Sequence, residues 1–280
     1  MRKDDDVPDL QEVLSAHELA PLAWAAAHEA ATFLRDDRPD DLLIESKSTP
    51  TDPVSEMDRG AERRIIDRVL GARPDDAVLG EEGGERPGTS GIRWVVDPLD
   101  GTVNYLYRLP MWGVSIAAEV DGVAEVGVVI APELHLASVA IRGGGAWSVN
   151  GNRAVRLAVS TCTSLDQALV STGFNYDAGM RVAQGGVVHG LLGSIRDIRR
   201  SGSAVVDFSW VARGCTEAFY EAGLNRWDIA AGALIASEAG AVVRGLADAD
   251  PFGSVLVAAA PGIADALIAE LRRCGADGQR

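Results

Sequence analysis

Asp97 and Asp100 flank Pro98 and Leu99 in the segment Trp94-Val95-Val96-Asp97-Pro98-Leu99-Asp100-Gly101-Thr102-Val103-Asn104-Tyr105. Ile92, Trp94, Val95 and Val96 read as a buried strand that runs into a tight turn, so the two carboxylates stand where the strand stops. Buried carboxylates this close repel each other unless a cation lies between them. The segment therefore asks for a divalent metal. With a hydroxyl and small-residue amides just behind the aspartates, the metal points to phosphate chemistry.

Two further acidic clusters lie at element boundaries. Gly80-Glu81-Glu82-Gly83-Gly84 ends a second strand, and Trp227-Asp228 begins a helix. Asp58 is a fourth candidate, in the first turn of a helix that Ser55 can cap. Hard oxygen donors of this kind suit Mg²⁺, which shares its remaining positions with water and phosphate. No His/Cys set favours zinc. Taken singly, Glu81-Glu82 reads equally as a solvated turn, whereas a lone Asp228 reads first as a helix cap and a lone Asp58 first as a carboxylate favouring a helix dipole. The Asp97/Asp100 pair has few such structural excuses.

The elements around these residues divide the chain in two. Leu10 to Leu34 reads as helix, interrupted near Pro21, and a polar loop over 45–54 contains Lys47. A helix follows with Ala61, Ile65, Ile66, Val69 and Leu70 on its apolar face, ending at Gly71. Strands are expected over 77–80, 93–96, 114–120, 123–130 and 137–141, with Asp121-Gly122 as a hairpin turn. Gly143-Gly144-Gly145 reads as another turn, because no helix pattern follows it. Beyond residue 155 the texture alternates: strands over 168–171, 218–220 and 255–259, helices over 203–213, 228–239 and 263–273. The expected fold is a layered α/β protein. An N-terminal α+β half (1–153), with an antiparallel sheet, carries most of the acids; a C-terminal α/β half (154–280) carries Asp228.

Composition narrows the function classes. The 280 residues can bury a large core, and 47% are hydrophobic with a mean hydropathy of +0.05. A net charge of −15 argues against a nucleic-acid binder, whose affinity rests on Lys and Arg. Cys162, Cys215 and Cys274 are odd in number and far apart, and no apolar run reaches the length of a membrane span. The expectation is a soluble, cytoplasmic protein without nucleic-acid or membrane partners.

Asp97-Pro98-Leu99-Asp100-Gly101-Thr102, with Gly80-Glu81-Glu82 before it and Trp227-Asp228-Ile229-Ala230-Ala231-Gly232 after it, resembles the inositol monophosphatase family. This family belongs to a lithium-sensitive, Mg²⁺-dependent phosphatase superfamily, and the resemblance runs from about Lys47 into the C-terminal region. It implies an α-β-α-β-α sandwich, a homodimer and two or three Mg²⁺ per subunit. Glu81, Asp97 and the Leu99 carbonyl would hold the first metal; Asp97, Asp100 and Asp228 would hold the second. A third would lean on Glu81 and water. The Gly101 and Thr102 amides would bind phosphate oxygens, and Asp58 and Thr102 would orient and deprotonate the attacking water.

Lys47 falls where the family carries a lysine ahead of a mobile catalytic loop. Glu221 and the segment Ser201-Gly202-Ser203-Ala204 match positions that touch polyol hydroxyls, and Arg199-Arg200 is an anion contact, an interface element or plain surface charge. Asn104-Tyr105 favours the inositol branch over nucleotide-directed relatives. The implied reaction is hydrolysis of inositol 1-phosphate or a similar polyol phosphate by metal-activated water. Fructose 1,6-bisphosphate, histidinol phosphate and 3′-phosphoadenosine 5′-phosphate are rival substrates of the same chemistry. A rival of another class is a binding role with the transcription machinery, for which no surface is visible in the sequence.

Overall fold

The computed structural model describes residues 8–46, 53–247, 252 and 255–278. Lys47 lies outside them. The chain opens with helices α1 (Leu10–Ser15) and α2 (Ala20–Asp36), the second carrying Pro21 in its first turn, where a missing N–H costs nothing. Ala20, Ala23, Ala27, Ala30 and Leu34 of α2 are completely buried, and this stripe of small side chains lets the helix lie close on its neighbours. Two short strands, β1 (Ile44–Ser46) and β2 (Pro53–Ser55), pair antiparallel and lead into helix α3 (Glu56–Ala72).

An eight-stranded sheet follows, built from β3 (Ala77–Gly80), β4 (Gly84–Arg86), β5 (Ile92–Asp100), β6 (Gly113–Val120), β7 (Val123–Ala131), β8 (Leu136–Ile141), β9 (Gly145–Asn150) and β10 (Arg153–Arg156). Its order is β10-β9-β8-β7-β6-β5-β3-β4, antiparallel throughout except for the β3–β5 pair. A short helix, α4 (Thr102–Leu106), leaves the end of β5. Asp121 and Gly122 both have positive φ (50° and 82°), the backbone a two-residue hairpin between β6 and β7 demands.

The remainder forms a five-stranded sheet, from β11 (Leu169–Thr172), β12 (Asp197–Arg199), β13 (Ala218–Glu221), β14 (Val242–Gly245) and β15 (Leu256–Ala259), with order β12-β11-β13-β15-β14. Four helices accompany it: α5 (Ala178–Leu191), α6 (Ala204–Ala212), α7 (Arg226–Glu238) and α8 (Ala264–Arg273). α6 and α7 are filled on both sides. Val205, Val206, Ala231 and Ile235 join the core against the eight-stranded sheet, while Phe208, Val211, Ile229 and Ala236 join the core against the smaller one. α1–α3 cover the outer face of the large sheet, and α5 and α8 the outer face of the small one. The result is a layered α-β-α-β-α sandwich, as the sequence led one to expect. No helix among the described residues is long and apolar enough to cross a membrane.

The sequence reading passed over β4, β9, β10, β12, β14, α4 and α5, and its polar loop over 45–54 takes in residues that belong to β1 and β2. The strands are three to six residues long and mostly half-exposed, so they carry little alternation. α5 holds Gly179, Gly185, Gly186 and Gly190, which dilute its helical period. One boundary also moves: β5 runs on through Pro98 to Asp100, with a register irregularity between Asp97 and Asp100, instead of stopping before the acids.

Candidate active site

The irregular end of β5 is what presents the acids. Pro98 has no N–H for the ladder, and the Leu99 amide turns instead to Asp97 Oδ1 at 3.0 Å. Gly101 then takes φ +87°, which swings the chain out of the sheet and into α4. A side chain there would also meet the Met111 carbonyl at 2.8 Å and Ser203 Cβ at 3.3 Å, so the turn needs glycine twice over. Thr102 opens α4 with its Oγ1 2.8 Å from Asp58 Oδ1 and 3.0 Å from the Leu99 carbonyl.

Asp58 is fully buried and held from its own helix. Ser55 caps α3 in a capping box, and its amide and hydroxyl both donate to Asp58 Oδ2 (2.8 and 2.5 Å). Glu81 follows β3 directly. The parallel register sets Gly80 beside Val96, and the Glu81 amide donates to the Val96 carbonyl at 3.2 Å, so Glu81 comes alongside Asp97. From the other half of the molecule, α7 brings Asp228 in its first turn, where the carboxylate also accepts from the Asn225 amide at 2.6 Å. Asp100 Oδ2 accepts from Ser203 Oγ (2.6 Å) and the Val205 amide (2.8 Å), which ties β5 to the start of α6.

One cavity of about 140 Å³ joins these residues, room for roughly five waters or a small ester. Its wall includes Glu81, Asp97, Leu99, Asp100, Gly101, Thr102, Gly202, Ser203, Ala204, Glu221 and Asp228. Of the candidates picked from the sequence, Asp58 stands behind Thr102, Ser201, Arg199 and Glu82 are off the wall, and Lys47 is outside the described residues; the other acids, Leu99, Gly101, Thr102, Arg200 and Gly202–Ala204 are on it. Sequence reasoning missed Phe174, Asn175, Tyr176, Leu224 and Asn225, which also line the cavity. No residue type or spacing marks them; their place follows from how β11 and β13 end side by side.

The electrostatics are severe. Among the described residues, five acids line the cavity and Arg200 is the one basic residue on its wall. Burial, then the charges of Glu81, Asp100 and Asp228, holds the Asp97 carboxyl well above its usual range. The Glu81 and Asp228 carboxyls are immediate neighbours of Asp97. Burial and the neighbouring Asp100 push Asp228 up to about 8. Burial also raises Asp100, against the pull of its Ser203 and Val205 donors, and raises Glu221 strongly, with the Asp207 charge adding to the effect. Left to themselves, these groups stay together only by holding protons.

Among the described residues no three Asp, Glu, His or Cys side chains close on a single point as a finished metal cage. The donor set nonetheless fits a hard cation: the candidates are oxygens, four carboxylates and the Leu99 carbonyl, mutually repelling and facing one cavity. A divalent ion among them would relieve that repulsion.

The model of the inositol monophosphatase family matches residues 15–276. This chain belongs to that family. It is 42% identical to an inositol-1-monophosphatase of Mycobacterium leprae, over 91% of this chain and 94% of that one. It is 36% identical to a protein of Escherichia coli named Nus factor SuhB, over 91% and 96% of the two chains. Among solved structures, the extragenic suppressor protein suhB of Bartonella henselae superposes with a TM-score of 0.85 at 33% identity, covering 92% of this chain and 99% of its own. Membership in a family that is generally metal-dependent agrees with the oxygen-only donor set of this inositol monophosphatase relative.

Proposed function

We propose that this protein is a Mg²⁺-dependent phosphomonoesterase that hydrolyses inositol 1-phosphate or a similar polyol phosphate. The observation that carries the reading is the charge of the cavity: among the described residues, five acids against one arginine. A phosphate dianion has no electrostatic reason to enter such a site unless cations enter with it. Glu81, Asp97 and the Leu99 carbonyl would hold one Mg²⁺, and Asp97, Asp100 and Asp228 another. Bound there, Mg²⁺ supplies a lowered pKa for water and neutralisation of charge on the phosphoryl and leaving oxygens.

The chain's own residues do the rest. Thr102 donates its hydroxyl proton to Asp58, which leaves a lone pair of Oγ1 to accept from the attacking water. The water's proton then passes to Thr102 as the threonine proton moves to Asp58. Asp58 is kept in place by Ser55, so the relay needs no rearrangement. The amides of Gly101 and Thr102, at the turn between β5 and α4, receive phosphoryl oxygens. Glu221, at the end of β13, and the Gly202–Ala204 segment, at the start of α6, face the same space and meet the polyol hydroxyls.

The test is phosphate release from inositol 1-phosphate, fructose 1,6-bisphosphate, histidinol phosphate and 3′-phosphoadenosine 5′-phosphate, with and without Mg²⁺ and with Asp97→Asn as control. Mg²⁺-dependent release that the variant loses is expected, greatest with inositol 1-phosphate. No release from folded protein on any of the four overturns the reading. Weight then moves to a binding role, which the relatives named Nus factor make the alternative.

A further inference from the structure

Glu62 is a buried acid that the proposed reaction does not use. It stands one helical turn beyond Asp58 on α3 and is 4% exposed. Its carboxylate is not at the cavity wall. It reaches instead into the turn between β3 and β4, where Oε2 accepts the Glu82 amide at 2.9 Å. The backbone of that turn is folded tightly around it. A side-chain carbon on Gly80 would lie 2.6 Å from Glu62 Oε2, and one on Gly83 would lie 2.7 Å from Oε1. Neither glycine has a positive φ. Their lack of a side chain therefore serves space for the carboxylate rather than backbone conformation.

We infer that Glu62 is a positioning residue, whose carboxylate sets the backbone of the Gly80–Gly84 turn and thereby aims Glu81 at Asp97. The inference rests on the reading of Glu81 as a metal-holding carboxylate. On one side Glu81 is fastened to β5 by its amide bond to the Val96 carbonyl; on the other, the next residue is fastened to α3 by Glu62. The same helix face thus holds both parts of the site. Asp58 fixes Thr102, and Glu62, four residues on, fixes the turn that carries Glu81. It also accounts for the pattern Gly80-Glu81-Glu82-Gly83: the acid is specified by the chemistry, and the flanking glycines by the Glu62 carboxylate they surround.

The experiment compares wild type, Glu62→Ala, Glu62→Gln, Gly83→Ala and the double variant Glu62→Ala/Gly83→Ala. Mn²⁺ binding without substrate is read by electron paramagnetic resonance, and Mg²⁺ activation of phosphate release is read beside it. Groups that orient a metal ligand typically change affinity 10–100-fold, so Glu62→Ala should weaken Mn²⁺ binding and raise the half-activating Mg²⁺ by at least about 10-fold. KM for inositol 1-phosphate at saturating Mg²⁺ should stay within about 3-fold of wild type on that scale of effect. Glu62→Gln retains an acceptor oxygen and should restore both readings to near wild type. Gly83→Ala displaces the carboxylate and should reproduce Glu62→Ala, and the double variant should be no worse than either alone. Gly83→Ala alone supplies the same test should Glu62→Ala fail to fold.

Unchanged Mn²⁺ binding in folded Glu62→Ala or Gly83→Ala overturns the assignment, as does additivity in the double variant. A Glu62→Gln variant as impaired as Glu62→Ala also overturns it, since the charge and not the acceptor would then matter. The Mn²⁺ reading separates this inference from the proposed reaction. Glu62-dependent Mn²⁺ binding by a wild type that releases no phosphate would sink the reaction and leave the assignment standing.

Discussion

Thr102 Oγ1 lies 2.8 Å from Asp58 Oδ1, and this one hydrogen bond joins the first turn of α4 to the first turn of α3 across 44 residues of sequence. Asp58 cannot turn away, because its other oxygen is taken by the Ser55 amide and hydroxyl. The pair is therefore a fixed acceptor for one proton at the cavity wall. Thr102→Val keeps the shape of the side chain and removes the relay. Positioned proton transfer contributes about 10²–10⁴-fold, so kcat should fall at least about 10²-fold while KM changes little. Thr102→Ser should retain most of the rate. Steady-state phosphate release decides it; a Thr102→Val enzyme within a few-fold of wild type would remove Thr102 from the mechanism.

How much of this was legible in the sequence follows from how far apart the partners are. Asp97, Asp100, Gly101 and Thr102 fall within six consecutive residues, so one strand-to-turn pattern exposes them all. Glu81 and Asp228 stand at element boundaries, where an acid is conspicuous even though a cap or a turn accounts for it equally well. Pro21, Ser55 and Asp121-Gly122 act locally, through a missing N–H, a cap and positive φ, and each marks its element in the structure. Glu62 and Asp207 were invisible for the opposite reason. Each sits mid-pattern on a helix, and its meaning comes from the segment it meets, the Gly80–Gly84 turn for one and Ser201 for the other. The small edge strands were missed because a three-residue strand with an exposed face has almost no period to read.

Asp76 is a clamp remote from the cavity and offers a test of stability alone. It is 2% exposed and accepts from Arg73 Nε (2.6 Å), Ser90 Oγ (2.7 Å) and the buried indole of Trp94 (2.9 Å). Burial raises its pKa, but the Ser90, Trp94 and Arg73 donors together outweigh burial and hold it below the ordinary value. A carboxylate with a depressed folded-state pKa contributes stability above its unfolded pKa and loses it as pH falls through the folded one. Asp76→Ala strands the Trp94 N–H and should cost about 2–4 kcal/mol at pH 7. Thermal melts at pH 7 and pH 3 check both points: the gap between wild type and variant should be wide at pH 7 and narrow on acidification.

Asp207 behaves in the opposite sense. It is 1% exposed on α6, and burial pushes its pKa up to about 8 against the hydrogen bonds it receives. Ser201 Oγ lies 2.6 Å from Asp207 Oδ2 and 2.9 Å from the Ser203 carbonyl. One hydroxyl proton cannot serve two acceptors, so the contact is consistent with a neutral carboxyl that donates to Ser201. A carboxyl whose folded-state pKa is raised loses stability as pH rises from its unfolded value, near 4, towards the folded one. Asp207→Asn removes that titration and keeps a neutral donor. Its Tm relative to wild type should increase steadily between pH 5 and pH 8; a difference independent of pH over that range would show that Asp207 is ionised throughout.

Asp97 is the residue for which activity and stability should diverge. Its burial and its proximity to Glu81, Asp100 and Asp228 mean that, without cations, ionising it works against the fold. By the same linkage, metal-free wild type should lose stability as pH rises from the ordinary carboxylate range toward neutrality. Asp97→Asn removes the cost of keeping that carboxyl un-ionised and nearly keeps its shape. The metal-free variant should melt higher than metal-free wild type at pH 7.5, by ~2–4 °C for each kcal/mol of that cost removed. Adding Mg²⁺ should reverse the order, because wild type gains the stabilisation of a bound ion that the variant binds poorly. Phosphate release should meanwhile fall at least about 10²-fold, the loss expected when charge stabilisation is removed from a reacting centre. Melting curves with EDTA and with Mg²⁺ decide the matter. A variant that melts lower than wild type in EDTA would mean that Asp97 is a structural acid, and that the crowding of carboxylates at the end of β5 has some cause other than a cation.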